Sequence, residues 1–235
     1  MICHEYKCIF VHVPKTAGIS VEHVFVDRLG LTWETRAPLL LRLNDDPKRG
    51  PRRLAHLKAS EYVSCGHITE ELFRSYYKFS FVRNPWDRIV SEYKYRGYPR
   101  KMDFKTYLFK HLPKPGWTDE YCHIIPQYEF LFDQDGSLLV DFVGRYERLQ
   151  TDFDEVCGKI GLPTITLPHV NKSLQEDKSS KTKLYLRKLK RLAFDKQKKN
   201  TFEHYVKYYD DESREFVSML FSKDIEVFKY QFGDP

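Results

Sequence analysis

The chain has 235 residues, 17 Phe, 16 Tyr and a formal net charge of +6. That length buries one sizeable core, so a single domain spanning residues 1–235 is expected, and the aromatic content argues against global disorder. No run approaches the roughly 18 consecutive apolar residues of a membrane-spanning helix.

The first element is a strand over residues 6–13, almost wholly apolar from Cys8 to Val13. It ends abruptly in Pro14-Lys15-Thr16-Ala17-Gly18-Ile19-Ser20, and a helix is predicted over 18–29. A strand feeding a tight turn that opens a helix aims several backbone N–H groups and a helix N-terminus at one spot, which makes an anion site. Lys15 adds a full charge there, and Thr16 and Ser20 add hydroxyls. The loop differs from a nucleotide-triphosphate P-loop, which needs Gly-x-x-x-x-Gly-Lys-Ser/Thr. Here the turn is shorter, proline precedes the lysine, and no Asp-terminated apolar strand stands out to hold magnesium.

Residues 32–56 read as irregular, a helix is predicted over 69–76, and 78–82 forms a second short buried strand. Arg83-Asn84-Pro85-Trp86-Asp87-Arg88 follows it. Asn84 suits an N-cap, Pro85 the first helical position and Asp87 the carboxylate of a capping box, so a helix is predicted over 86–95. Arg83 then stands at a strand end with Ser91 about two turns into the next helix, where both can reach one anion.

These two motifs, in this order, resemble those of sulfotransferases. Pro-Lys-Thr-Ala-Gly-x-Ser resembles the 5′-phosphosulfate loop of enzymes that use 3′-phosphoadenosine 5′-phosphosulfate (PAPS) and need no metal. Arg83 with Ser91 resembles their 3′-phosphate motif. The resemblance implies that Lys15, Thr16, Ala17, Gly18, Ile19 and Ser20 cradle the 5′-phosphosulfate, with Lys15 on the leaving phosphate. The product would be adenosine 3′,5′-bisphosphate (PAP). Between the motifs, Ser64-Cys65-Gly66-His67-Ile68 is similar to the catalytic-histidine segment of hexuronyl (heparan sulfate type) 2-O-sulfotransferases, which makes His67 the expected base. Those enzymes carry a second histidine where this chain has Cys65. The other candidate bases are His56, His12 and the Asp119-Glu120 pair, with His12 read as a core residue. A histidine titrates near neutral pH and suits proton removal from an alcohol.

Further along, helices are predicted over 103–111 and 147–160, with 112–120 irregular. Phe142-Val-Gly-Arg-Tyr-Glu147-Arg-Leu149 and Leu167-Pro-His-Val-Asn171-Lys172-Ser173 resemble later segments of carbohydrate sulfotransferases. The second resembles the start of a loop that closes over the nucleotide, which adds Ser173, Ser180 and Thr182 as expected donors, with Lys172 or Lys181 supplying charge. From Lys178 to Lys199 there are ten Lys and Arg and one acid, a charge of +9, which leaves the remainder at −3. Apolar residues spaced three and four apart there predict a basic amphipathic helix over 183–198, within a basic segment at about 176–200. It is either a solvated face or a surface for a polyanion such as an acidic glycan; no nucleic-acid reading motif accompanies it. A last helix is predicted over 211–222.

Strands alternating with helices predict an α/β fold, a central parallel sheet flanked by helices, which the resemblance specifies as the P-loop-like sulfotransferase fold. The five scattered cysteines include no Cys-x-x-Cys pair and read as free thiols in a reducing compartment, with no metal site. With the first strand so near Met1 there is no leader to read, so a cytoplasmic chain is expected, or a Golgi-lumenal one if the sequence is trimmed. The expected acceptor is a carbohydrate hydroxyl. Oligomers occur among the glycan-modifying relatives, so a homo-oligomer is compatible. Two rival readings are a small-molecule kinase, which would need ATP and magnesium, and a non-catalytic polyanion-binding module.

Overall fold

The structure is a computed structural model that describes residues 1–168 and 204–234. Strand β1 (Ile2–Cys3) is followed by β2 (Cys8–Val11), helix α1 (Gly18–Arg28), α2 (Glu61–Ser64), α3 (Glu70–Ser75), β3 (Tyr77–Val82) and α4 (Pro85–Tyr95). Then come α5 (Phe104–Lys110), α6 (Asp119–Cys122), α7 (Tyr128–Leu131), β4 (Phe142–Arg145), α8 (Leu149–Ile160), α9 (Asp211–Leu220) and α10 (Ser222–Phe228). The basic segment, its predicted helix over 183–198, and Ser173, Ser180 and Thr182 lie outside the described residues.

The four strands form one sheet in the order β1-β2-β3-β4. The pairs β2–β3 and β3–β4 are parallel, with Phe10 beside Phe79 and Phe81 beside Gly144. The predicted parallel sheet is thus present, with one antiparallel edge that sequence reading did not anticipate: β1 pairs with β2 through Ile2–Ile9 and Cys3–Cys8. Two residues are too few to carry a periodic signal.

Alternation along the strands separates two cores. Cys8, Phe10, Phe79 and Phe81 pack with Val21 and Phe25 of α1 and Phe153 and Val156 of α8. Ile9, Val11 and Val82 face the other way, against Ile89 and Tyr93 of α4, Tyr107 of α5 and Val217 of α9. Gly144 of β4 lies against the Phe81 ring, where a Cβ would come within 2.5 Å of that ring. Both faces of the sheet are therefore covered, and the loops after β2 and β3 leave from the same C-terminal edge, where open parallel sheets bind ligands.

Candidate active site

The turn after β2 stores local strain. Lys15 and Ala17 both take left-handed backbone conformations, with φ of 71° and 63°, which cost non-glycine residues energy and collect at ligand sites. The Thr16 hydroxyl donates to the Val13 carbonyl at 2.9 Å, so this buried side chain closes the loop on itself. The Ser20 amide donates to the Ala17 carbonyl at 2.9 Å and starts α1. Left-handed residues ahead of a helix N-terminus turn backbone N–H groups into a concave anion cradle.

Gly18 is required at its position because a Cβ there would lie 2.2 Å from Nε2 of His12. That ring cannot retreat. It is buried, and its Nδ1 is 2.6 Å from the Glu22 carboxylate. His12 thus proves to be both a core residue, as read from sequence, and a wall of the cavity beside the loop.

That cavity, about 290 Å³, is lined by Lys15, Ala17, Gly18 and Ile19 together with His12, His56, His123 and Tyr95. The Lys15 ammonium lies 3.7 Å from the centre of the Tyr95 ring. Burial pulls its pKa down to about 8; Glu92 opposes this, while Arg83, Arg96 and Arg88 reinforce it. An ammonium so placed is cationic at neutral pH and lacks only an anion.

The three imidazoles form a stack of edge contacts, His12 to His56 at 4.6 Å and His56 to His123 at 5.3 Å between ring centres. Nδ1 of His56 lies 3.1 Å from the His12 carbonyl oxygen. A carbonyl can only accept, so Nδ1 carries the hydrogen and Nε2 keeps its lone pair. Burial, then the neighbouring His12 and His123, push the His56 pKa well below the ordinary histidine value. His123 is lowered by burial and partly restored by Glu92, whose carboxylate sits 2.9 Å from its Nδ1. Burial would raise the Glu92 carboxyl, but His123 and Arg96 outweigh it and hold the group below the usual range.

Asp119 and Glu120, candidates for the base, are engaged as counterions. Arg96 reaches Asp119 at 3.2 Å and Glu120 at 3.4 Å, and Arg53 reaches Asp119 at 2.8 Å. His56, Asp119 and His123 bring ligand atoms within 4.8 Å of one another. Two arginines already neutralise the carboxylate of that set, which counts against a cation there.

His67 is placed elsewhere. It is half-buried after α2, its Nε2 lies 2.8 Å from the Arg49 carbonyl, and it is absent from the residues lining the Lys15 cavity. A second hollow of about 260 Å³, lined by Trp117, Tyr121 and Lys58 among others, shares His56 as a wall.

The loop after β3 forms as its sequence suggests. The Asn84 side chain accepts from the Trp86 and Asp87 amides, and Pro85 occupies the first helical position. Asp87 departs from the capping-box expectation. It binds the Arg83 guanidinium, at 2.8 Å from Nε and 2.7 Å from Nη2. Nη1 of Arg83 donates to the Lys15 carbonyl at 3.1 Å, and its guanidinium lies 3.9 Å over the Tyr146 ring. The two motifs, 68 positions apart in sequence, are thus in direct contact. Ser91 lies half-buried on α4, eight positions beyond Arg83.

Arg88 is a site residue that sequence reading missed. Fully enclosed, it donates from Nε to the Pro14 carbonyl at 3.0 Å and from Nη2 to the His123 carbonyl at 2.9 Å. It braces the loop after β2 against the segment carrying His123. An arginine on an otherwise apolar helix face was the available signal, because such a charge must find buried partners.

Comparison with known proteins points the same way. A family model described as "Sulfotransferase family" matches residues 1–231. A protein of Archaeoglobus fulgidus, called an uncharacterized protein, is 36% identical over 96 residues, covering 41% of this chain and 77% of that one. No solved structure gives a significant match.

Proposed function

The chain belongs to the sulfotransferase family, and from that premise we propose that it moves a sulfuryl group from PAPS to a carbohydrate hydroxyl. The observation that carries this reading is the partly desolvated Lys15 ammonium, set on a strained anion cradle in the same cavity as the His56 imidazole. The loop from Lys15 to Ser20 would hold the 5′-phosphosulfate through Lys15 and its backbone amides. Arg83 and Ser91 would hold the 3′-phosphate. Arg83 reaches both loops, and this supports its role.

For the base, the resemblance favours His67 and the geometry favours His56. His56 has its tautomer fixed, so that Nε2 accepts, and it is neutral at pH 7. As the acceptor oxygen bonds to sulfur and the sulfur–phosphate oxygen bond breaks, Nε2 of His56 takes the hydroxyl proton. Lys15 neutralises the charge left on the phosphate. Positioning and electrostatics carry most of such a loose transfer.

Titration calorimetry with PAP, and separately with ATP plus magnesium, tests the reading. PAP should bind, and Lys15→Ala or Arg83→Ala should abolish or severely weaken that binding. ATP binding without PAP binding would make the loop a kinase site. His56→Ala should keep PAP affinity and lose about 100-fold or more in turnover, whereas His67→Ala should keep turnover. The reverse pattern would return the base to His67.

A further inference from the structure

The antiparallel edge of the sheet brings together two cysteines that no sequence motif pairs. Cys3 of β1 stands directly opposite Cys8 of β2, across a turn of His4, Glu5, Tyr6 and Lys7. Directly opposed residues of an antiparallel pair point to the same face, and both side chains enter the core that holds Phe10 and Phe79. Both are free thiols, and they touch. The Cys8 thiol donates to the Cys3 sulfur, which lowers the Cys3 pKa against the effect of burial, while the same contact and then burial raise that of Cys8.

The ladder sets their spacing. Met1 and Phe10 exchange both backbone bonds, at 2.8 and 2.9 Å. By alternation Cys3 and Cys8 are again a hydrogen-bonded pair, with Cα atoms about 5.5 Å apart. A disulfide spans about 4.4–6.8 Å between Cα atoms, so the strands can stay as they are. Side chains of such a pair stand farther apart than those of the alternate kind. The bond therefore closes under some strain, and a strained disulfide is readily reduced.

Both sulfurs are buried, and access comes through the turn. His4, Glu5 and Lys7 are exposed, Lys7 holds a left-handed φ of 46°, and β1 has two residues. So short an edge strand and its turn open locally at low free-energy cost. We propose that Cys3 and Cys8 are a modification site, an oxidisable pair that closes into a reversible intrachain disulfide in the presence of a small-molecule disulfide such as oxidised glutathione. The Cys3 thiolate attacks one sulfur of the oxidant and expels a glutathione thiolate. The Cys8 sulfur then attacks Cys3 in the mixed disulfide and expels the second glutathione. One S–S bond breaks and one forms. The cysteines lose two electrons to the oxidant, and their two protons leave with the two glutathiones. The bond staples the sheet edge at the end of β2 remote from Lys15, so it is independent of the donor and acceptor readings.

Lys7 lies between the two cysteines, so trypsin separates residues 1–7 from 8–15. These two peptides stay joined only through a Cys3–Cys8 bond. The full chain, freshly reduced and freed of reductant, is incubated folded with oxidised glutathione. It is then quenched in acid, alkylated in denaturant, digested and read by mass spectrometry. The joined pair should become the main form of these peptides. It should fall at least about tenfold when excess reduced glutathione is added before the quench. Two separate alkylated peptides after oxidation would overturn the site, and so would glutathione retained on Cys3 or Cys8 in place of the joined pair. A joined pair that survives excess reduced glutathione would overturn its reversibility.

Discussion

Lys15 has an environment that makes its charge conditional. With its pKa pulled to about 8 by burial, the free protein holds a full ammonium at pH 7 and loses it progressively above pH 8. An anion binds only the protonated form tightly, so binding above pH 8 takes up a proton. PAP affinity should therefore be level below pH 7.5 and fall up to about tenfold per pH unit above 8. Lys15→Arg, which stays charged, should flatten the profile even where it binds more weakly. Wild-type affinity constant from pH 7 to 9.5 in calorimetry would remove Lys15 from the anion site. This lysine was a candidate from the sequence because of its type and its place after a strand. The resemblance ranked His67 ahead of His56, whereas the structure puts His56 and not His67 in the lining of the Lys15 cavity. Both are single histidines in polar loops, and only tertiary contact with the His12 carbonyl and a cavity shared with Lys15 separate them.

Among the elements, α4 ties the site together. Its first turn caps on Asn84, its middle sends Arg88 into the interior, and its last turns present Glu92 and Tyr95 to the cavity region. Replacing Arg88 by methionine keeps much of the volume but strips the Pro14 and His123 carbonyls of their buried donor. The expected loss is about 2–4 kcal/mol of stability, with weaker PAP binding because the loop loses its brace. Chemical denaturation of the variant checks this, and an unchanged midpoint with unchanged slope would show that Arg88 merely fills space. The start of α4 was legible in Asn84-Pro85 because capping is local chemistry. The partner of Asp87 was not, because Arg83 competes for the same carboxylate and its charge outbids a backbone amide.

At the scale of the molecule, the C-terminal segment locks onto the loop that carries Arg83 and onto β4. Asp224, fully buried on α10, accepts the Gln127 and Tyr128 amides at 2.9 and 2.8 Å, and Gln127 in turn clasps both backbone groups of Arg83. Tyr209 donates to the Trp86 carbonyl, and Arg145 of β4 donates to the Phe228 carbonyl. Asp224→Asn leaves one buried amide poorly paired and should cost about 1–3 kcal/mol, a fall in Tm of several degrees at this chain length. A variant melting with the wild type would show that the closing helices merely cover the core. By itself the sequence determined the class of fold and the strand-to-helix turns that carry Lys15 and Arg83, because periodicity, capping and turn chemistry act between residues close in the chain. Only the tertiary structure decided which histidines share the Lys15 cavity, why Gly18 admits no side chain, and that Arg88 braces two distant carbonyls. Those outcomes depend on burial and on partners tens of residues away, which no local pattern encodes.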